Sequence, residues 1–240
     1  MKNKTETKPK VKATGTHSRE ALLVSATQLF AARGFDGVSV RDIANAARVN
    51  SALVGYYFGG KQGLLAEVYT RHCTPLAQER IRLLKEFERV NGGATLEQVL
   101  EAFIRPSLKV TIDQNGRSDF TRLRTILLGE NSALLNQLVS VNFDDSIRIF
   151  VKALSKCLPH LTREDVLWRF HFLLGAIYYT GSGPHRILVL SNGRCDPTDP
   201  DASAEEMIPF LAAGFRAPRS PRSNTDTTVS VKSKRKPKAR

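Results

Sequence analysis

The chain has 240 residues, with 36 Lys or Arg against 23 Asp or Glu and a formal charge of +13 at pH 7. That excess lies in the ends, since residues 1–17 carry five Lys against Glu6 and residues 216–240 carry nine Lys or Arg against Asp226, leaving 22 basic and 21 acidic side chains between them. Three scattered cysteines, Cys73, Cys157 and Cys195, exclude a disulfide framework or thiolate zinc site, and an apolar run no longer than the eight residues from Phe172 to Tyr179 excludes a spanning helix, which needs about 20. No apolar h-region follows the basic N-terminus, so no signal peptide is expected and a cytoplasmic protein is. Residues 1–17, with Lys8, Lys10 and Lys12 leading to His17 and Arg19, read as a disordered basic arm placed either along a DNA backbone or free in solvent.

Residues 18–33 have helical spacing, with Leu22, Leu23, Ala26, Leu29 and Phe30 on one side, Gly34 as the stop and Phe35 as a plug. A short helix is expected from Val40, opened by a capping box of Ser39 and Asp42, with Ile43, Ala44 and Ala47 inward. Arg48 and Val49 form a turn, and Asn50 is a strong cap for a second short helix starting near Ser51. In that helix Val54 and Phe58 point inward, leaving Ser51, Ala52, Gly55 and Tyr56 outward, small enough to lie deep in a major groove. Two short helices and a tight turn make a helix-turn-helix, although the same periodicity also fits an ordinary helical hairpin. Gly59 and Gly60 end the second helix, and Lys61 opens another through Leu64, Leu65, Val68 and Tyr69, where its charge joins the free backbone amides as a phosphate clamp.

The segments LLVSATQLFAARGFDGVSVRDIANAARVN and YYFGGKQGLL resemble, in order and spacing, the N-terminal domain of the TetR family of bacterial transcription regulators. Two positions depart from the family pattern: Arg48 stands where Gly is usual, adding turn strain or a phosphate contact, and Gly55 stands where Tyr is frequent. The resemblance implies DNA contacts from Ser39, Arg41, Ser51, Ala52 and Tyr56, which with Arg48, Asn50 and Lys61 complete the candidate DNA-binding set. Arg41 suits a guanine edge and a phosphate equally well.

Beyond residue 74 the chain reads helical, over 75–90, 95–112 with a kink at Pro106, 118–131, 132–158, 162–179 and 204–215, and no segment alternates as a strand would. The fold class is therefore all-α. Its expected domains are a helix-turn-helix unit at 18–74, a helical effector-binding and dimerisation unit at 75–216, and a basic tail at 217–240. The tail's KSKRKPKAR adds non-specific phosphate affinity at most. Two apolar stripes stand out, one of Leu134, Leu138, Val141, Ile147, Phe150, Val151 and Leu154, the other of Val166, Phe170, Leu173, Leu174, Ile177 and Tyr178. Such stripes are normally core, but the resemblance implies that the last long helices pair across a homodimer, so that two reading helices about 34–36 Å apart meet a palindromic operator on double-stranded DNA.

The segments YYFGGKQGLL, TRLRTILLGEN and LPHLTREDVLWRFHFLLGAIYYTGSG further resemble the fatty-acid-responsive PsrA branch of the family. That likeness implies an apolar effector, a fatty acid or acyl-CoA, with Phe103, Leu127, Phe143, Phe170, Leu174 and Tyr178 as candidate pocket residues, although any one of them is more simply read as dry core. His160, His171 and His185 are scattered, and TGSGPHR at Thr180 has neither P-loop nor dinucleotide spacing and reads as a helix stop and turn. No catalytic constellation or metal or cofactor motif is found, so the expectation is a ligand-released repressor and not an enzyme. The rivals are a sequence-neutral nucleic-acid-coating protein driven by its tails and a helical ligand-binding enzyme.

Overall fold

The computed structural model describes residues 15–113, 116–130, 132–182 and 186–219, so both basic tails lie outside the described residues except for their inner ends. The helices are α1 (Gly15–Arg33), α2 (Val40–Ala46), α3 (Ala52–Phe58), α4 (Lys61–Asn91), α5 (Leu96–Thr111), α6 (Asp119–Glu130), α7 (Ser132–Cys157), α8 (Arg163–Ser182), α9 (Arg186–Leu190) and α10 (Pro200–Arg216). The all-α reading stands. Between α5 and α6 the backbone closes a two-residue antiparallel ladder, β1 (Ile112–Asp113) with β2 (Gly116–Arg117), too short to leave any alternation in the sequence.

Side-chain caps fix where several helices begin. Thr95 and Gln98 exchange bonds before α5, with the Thr95 amide donating to Gln98 Oε1 at 2.9 Å and the Gln98 amide to Thr95 Oγ1 at 3.3 Å. Thr162 and Asp165 do the same before α8. Asp199, also with capping bonds, starts α10 at Pro200, four residues earlier than apolar spacing alone indicates, with Pro at the first turn where its missing N–H costs nothing. Arg169 of α8 then clasps the end of α10 by donating to the carbonyls of Phe215, Ala217 and Pro218. The stop expected at Thr180 comes later, since α8 continues to Ser182; the rest of the expected turn includes residues 183–185, outside the described residues.

Two features differ from the expected domain plan. First, α4 runs unbroken through Pro75, so the boundary placed at 74 falls inside a helix. A mid-helix proline costs about 3 kcal/mol, and burial of Cys73 and Leu76 on either side supplies the packing that offsets it. Second, the core has two clusters, and neither ends at 74. One joins Leu22, Phe30, Ile43 and Val54 of the first three helices to Tyr69 of α4, Phe120, Leu123 and Leu127 of α6, and Leu135, Leu138 and Phe143 of α7. The other joins Leu84, Leu100, Phe103, Phe150, Leu154, Phe170, Leu173 and Phe215 in α4, α5, α7, α8 and α10. Helix α6 therefore belongs structurally to the head as much as to the body. Its last residue reinforces this, because the Phe35 amide donates to Glu130 Oε2 at 3.1 Å across the α1–α2 connection.

Candidate nucleic-acid interface

The head presents α2 and α3 on a frame of α1 and α4. Ion pairs Arg19–Glu67 and Arg71–Glu20, each at 2.6 Å, tie α1 to α4. Arg19 also lies 5.3 Å from the Phe58 ring centroid, so it belongs to the frame and not to a free N-terminal arm. Helix α2 opens on the expected capping box: Ser39 Oγ accepts from the Asp42 amide at 3.1 Å, and the Ser39 amide donates to Asp42 Oδ2 at 2.8 Å. Ser39 Oγ also donates to that carboxylate at 2.6 Å, which commits its proton to the cap. These bonds hold the Asp42 carboxyl below its ordinary range.

The turn closes as a Schellman motif. The Arg48 amide donates to Asn45 O at 3.1 Å and the Val49 amide to Ala44 O at 3.0 Å, with Arg48 left-handed at φ 56° and Val49 tucked half-buried against the head core. A side chain in that conformation costs about 1–2 kcal/mol. We therefore expect Arg48→Gly to raise the melting temperature by a few degrees while lowering DNA affinity and the salt slope of binding by about one counterion, both readable from melts and salt titrations. A stabilised variant with unchanged salt dependence would remove Arg48 from the DNA-contact set.

Asn50 caps α3, its Oδ1 accepting from the Ala52 amide at 2.9 Å. Val54 is fully buried beneath it. Phe58, expected inward, is only half-buried, with Tyr57 edge-on at 6.1 Å. Ser51, Ala52, Gly55 and Tyr56 face out, Tyr56 at 80% exposure. Gly59 and Gly60 both take positive φ between α3 and α4. Gly63 is required for another reason, since a Cβ there would stand 1.8 Å from the Phe58 carbonyl oxygen. The turn thus sets Lys61 at the start of α4 against the α1–α2 connection, where its ammonium lies 4.2 Å from the Phe35 ring centroid and the residue stays half-buried. Ser39, Arg41, Arg48, Asn50, Ser51, Ala52 and Tyr56 are all exposed on this one head.

The six candidate pocket residues are not gathered together. Phe103 and Phe170 meet edge-on at 5.1 Å in one cluster, while Leu127 and Phe143 lie in the other. Tyr178 is half-buried with Arg124 6.0 Å from its ring centroid, and Leu174 faces outward on α8. A cleft of about 290 Å³ opens elsewhere, against the α4–α5 connection and α7, between Glu88, Lys156 and Cys157.

The sequence stripes also missed a surface. On α8 Leu167, Trp168, Phe172 and Tyr179 are exposed, Trp168 at 56% and Phe172 at 60%, with Trp168 and Phe172 one turn apart and their rings 5.9 Å from each other. Val141 of the α7 stripe is likewise outward, at 79%. The missed signal was present in the sequence, since α8 is apolar on more than one face.

A capped helix-turn-helix with a small-sided, outward second helix, carried on a larger helical body, defines a DNA-binding regulator. The comparisons agree: residues 22–68 match the profile described as bacterial regulatory proteins, tetR family, and residues 101–214 match the tetracyclin repressor-like C-terminal domain. The chain belongs to the TetR family of transcriptional regulators. It is 48% identical over 84 residues to the probable HTH-type transcriptional regulator YttP of Bacillus subtilis, a stretch that spans 35% of this chain and 39% of that protein. Its fold is similar to that of the fatty acid degradation regulator FadR from Bacillus halodurans, with TM-score 0.58 at 16% identity over 83% of this chain and 96% of that one. A TetR family regulator from Shewanella gives TM-score 0.59 at 16% identity, over 82% and 97%.

Proposed function

We propose that this regulator is a homodimeric repressor that reads a palindromic operator through α3 and leaves it when an apolar effector binds the body. The observation that carries the reading is the exposed surface of α3, small at Ser51, Ala52 and Gly55 and projecting only Tyr56, on a turn held by its own caps. Large apolar side chains left in water on α8 support a second copy as the occupant of that face. Such work belongs in the cytoplasm.

The effector acts through α6. That helix shares the head's core and holds Phe35 through Glu130, so a ligand that favours a shifted α6 also favours displaced reading heads, by no more than its differential affinity for the two states. A solved relative of the fold is described as a regulator of fatty acid degradation, which makes fatty acids and acyl-CoAs the first class to screen.

The test is selection of bound DNA from a random pool at ~150 mM salt, where backbone attraction is weakened and base readout must show itself. A palindromic consensus is the expected result, and no enrichment would favour coating of nucleic acid by the basic tails. With an operator in hand, Tyr56→Ala and Lys61→Ala should weaken binding to operator and random DNA by similar factors. A loss confined to the operator would give those residues a base-reading role instead of a phosphate one.

A further inference from the structure

Arg80 is the most deeply buried charge described, 6% exposed in the middle of α4, with its guanidinium carbon 3.8 Å from the Phe103 ring centroid and 5.5 Å from that of Phe143. It thus sits where the two core clusters meet, and it joins pocket candidates that the clusters otherwise separate. Its Nε and Nη2 donate to Ser107 Oγ at 3.2 and 2.7 Å, and the Ser107 hydroxyl in turn donates a hydrogen bond to the Phe103 carbonyl. That partner is a neutral hydroxyl. The charged group acting on Arg80 is a second cation, Arg124 of α6, and no carboxylate among the described residues joins them. Burial first and Arg124 second pull the Arg80 pKa down to about 9, which still leaves it charged at neutral pH.

Arg124 is itself incompletely satisfied, because its Nε is buried without a hydrogen-bond partner. The hydroxyl of Tyr69, on the same face of α4 as Cys73 and Arg80, is also buried short of good hydrogen-bond geometry, and the group it lies against is Arg124 itself. Burial drives the Tyr69 hydroxyl upward and the Cys73 thiol to about 12, so neither supplies an anion at neutral pH. Two guanidiniums, a phenol whose described polar neighbour is one of them, and the Phe103 and Phe143 rings therefore gather along one face of α4 with no anion among the described residues. Buried charge without a counter-charge is costly, and proteins retain it where something else completes it.

We propose that Arg80 and Arg124 form an interior anion site that takes the carboxylate of an otherwise apolar effector, with Tyr69 as a third donor and the Phe103 and Phe143 rings against its chain. This inference rests on the ligand-released reading above and adds the chemical class of the ligand's head. It requires a carboxylate and not merely an apolar body. Because Arg124 rides on α6, which also carries the Glu130 hook to Phe35, engagement of the head group pulls on the helix that frames the DNA-reading unit.

The experiment compares thermal melting of the full chain with dodecanoate, dodecanol and dodecanoyl-CoA, each below its aggregation concentration, for wild type, Arg80→Met and Arg124→Met. Dodecanoate should raise the wild-type melting temperature by several degrees and dodecanol by clearly less. Arg80→Met should melt higher than wild type without ligand, since a buried charge is gone, and should lose the acid-over-alcohol preference, with about 10–100-fold weaker dodecanoate binding. Should Arg80→Met not fold, Arg124→Met, whose side chain is only half-buried, should fold with a melting temperature near wild type and show the same loss of the acid-over-alcohol preference. Equal shifts by acid and alcohol, no shift by either, a response to dodecanoyl-CoA alone, or a preference surviving in the variants would each overturn the site. Operator binding without ligand, measured on the same samples, separates the two readings: intact operator binding with no carboxylate preference sinks only the anion site.

Discussion

Trp168→Asp combined with Phe172→Asp is expected to turn the proposed homodimer into a monomer and to lower operator affinity by about 10²–10⁴-fold, with little change in its melting temperature as a folded chain. Both side chains are more than half exposed on α8, so their replacement removes nothing from the core that Val166, Phe170, Leu173 and Ile177 build on the other side of the same helix. Across a two-fold interface the doubled carboxylates would face their own copies, and each must lose water there, so the substitution acts twice per dimer. The loss of DNA binding follows from geometry. One head on one half-site has only its own contacts, whereas two linked heads bind the second half-site at a high effective concentration. Light scattering after size exclusion gives the mass, and operator titration gives the affinity. A persistent dimer would move the seam from α8 to another exposed apolar residue, of which Phe210 on α10, 73% exposed, is the nearest in kind.

Which parts of this molecule could be read in advance depends on how local their causes are. The capping box of Ser39 and Asp42, the Asn50 cap and the glycines before Lys61 act within three or four residues, and all stand in the structure as their spacing indicates. Strain at Arg48 was legible only through the resemblance, whose pattern has Gly there, and the left-handed backbone at that position supplies the physical reason. Continuity of α4 through Pro75 was not legible, because it depends on what buries Cys73 and Leu76 from elsewhere in the chain. Periodicity likewise cannot rank two apolar faces on one helix. On α8 it picked Val166, Phe170, Leu173 and Ile177, which are core, but also Leu174, which faces out, and half-buried Tyr178, and it passed over Trp168, Phe172 and Tyr179, which carry the open face. Arg80 gave no signal, since a lone arginine in a long polar helix is ordinarily solvated, and only packing shows it enclosed.

The second large effect belongs to Phe120→Ala, which should cost about 3–5 kcal/mol and lower the melting temperature by roughly 6–20 °C. Phe120 is 3% exposed and fastens α6 to α4 from two sides, edge-on to Tyr69 at 5.0 Å and stacked on His72 at 4.7 Å with an interplanar angle of 13°. Since its cluster extends without a break from Phe30 and Val54 to Leu127 and Leu138, head and α6 should lose structure in a single calorimetric transition. Operator binding should then fade at the same temperature as helicity. Two transitions, the head's unmoved, would restore an independent unit ending near residue 74. A pH series sharpens the test, because burial, and secondarily Arg71, hold the His72 pKa below its ordinary value. The unfolded chain takes that proton first as pH falls below about 6.5, so wild-type stability from this group is complete above that pH and is lost on the acid side as pH falls through the folded value. Removing the Phe120 ring opens His72 to water, brings the two pKa values together, and should flatten that acid-side decline.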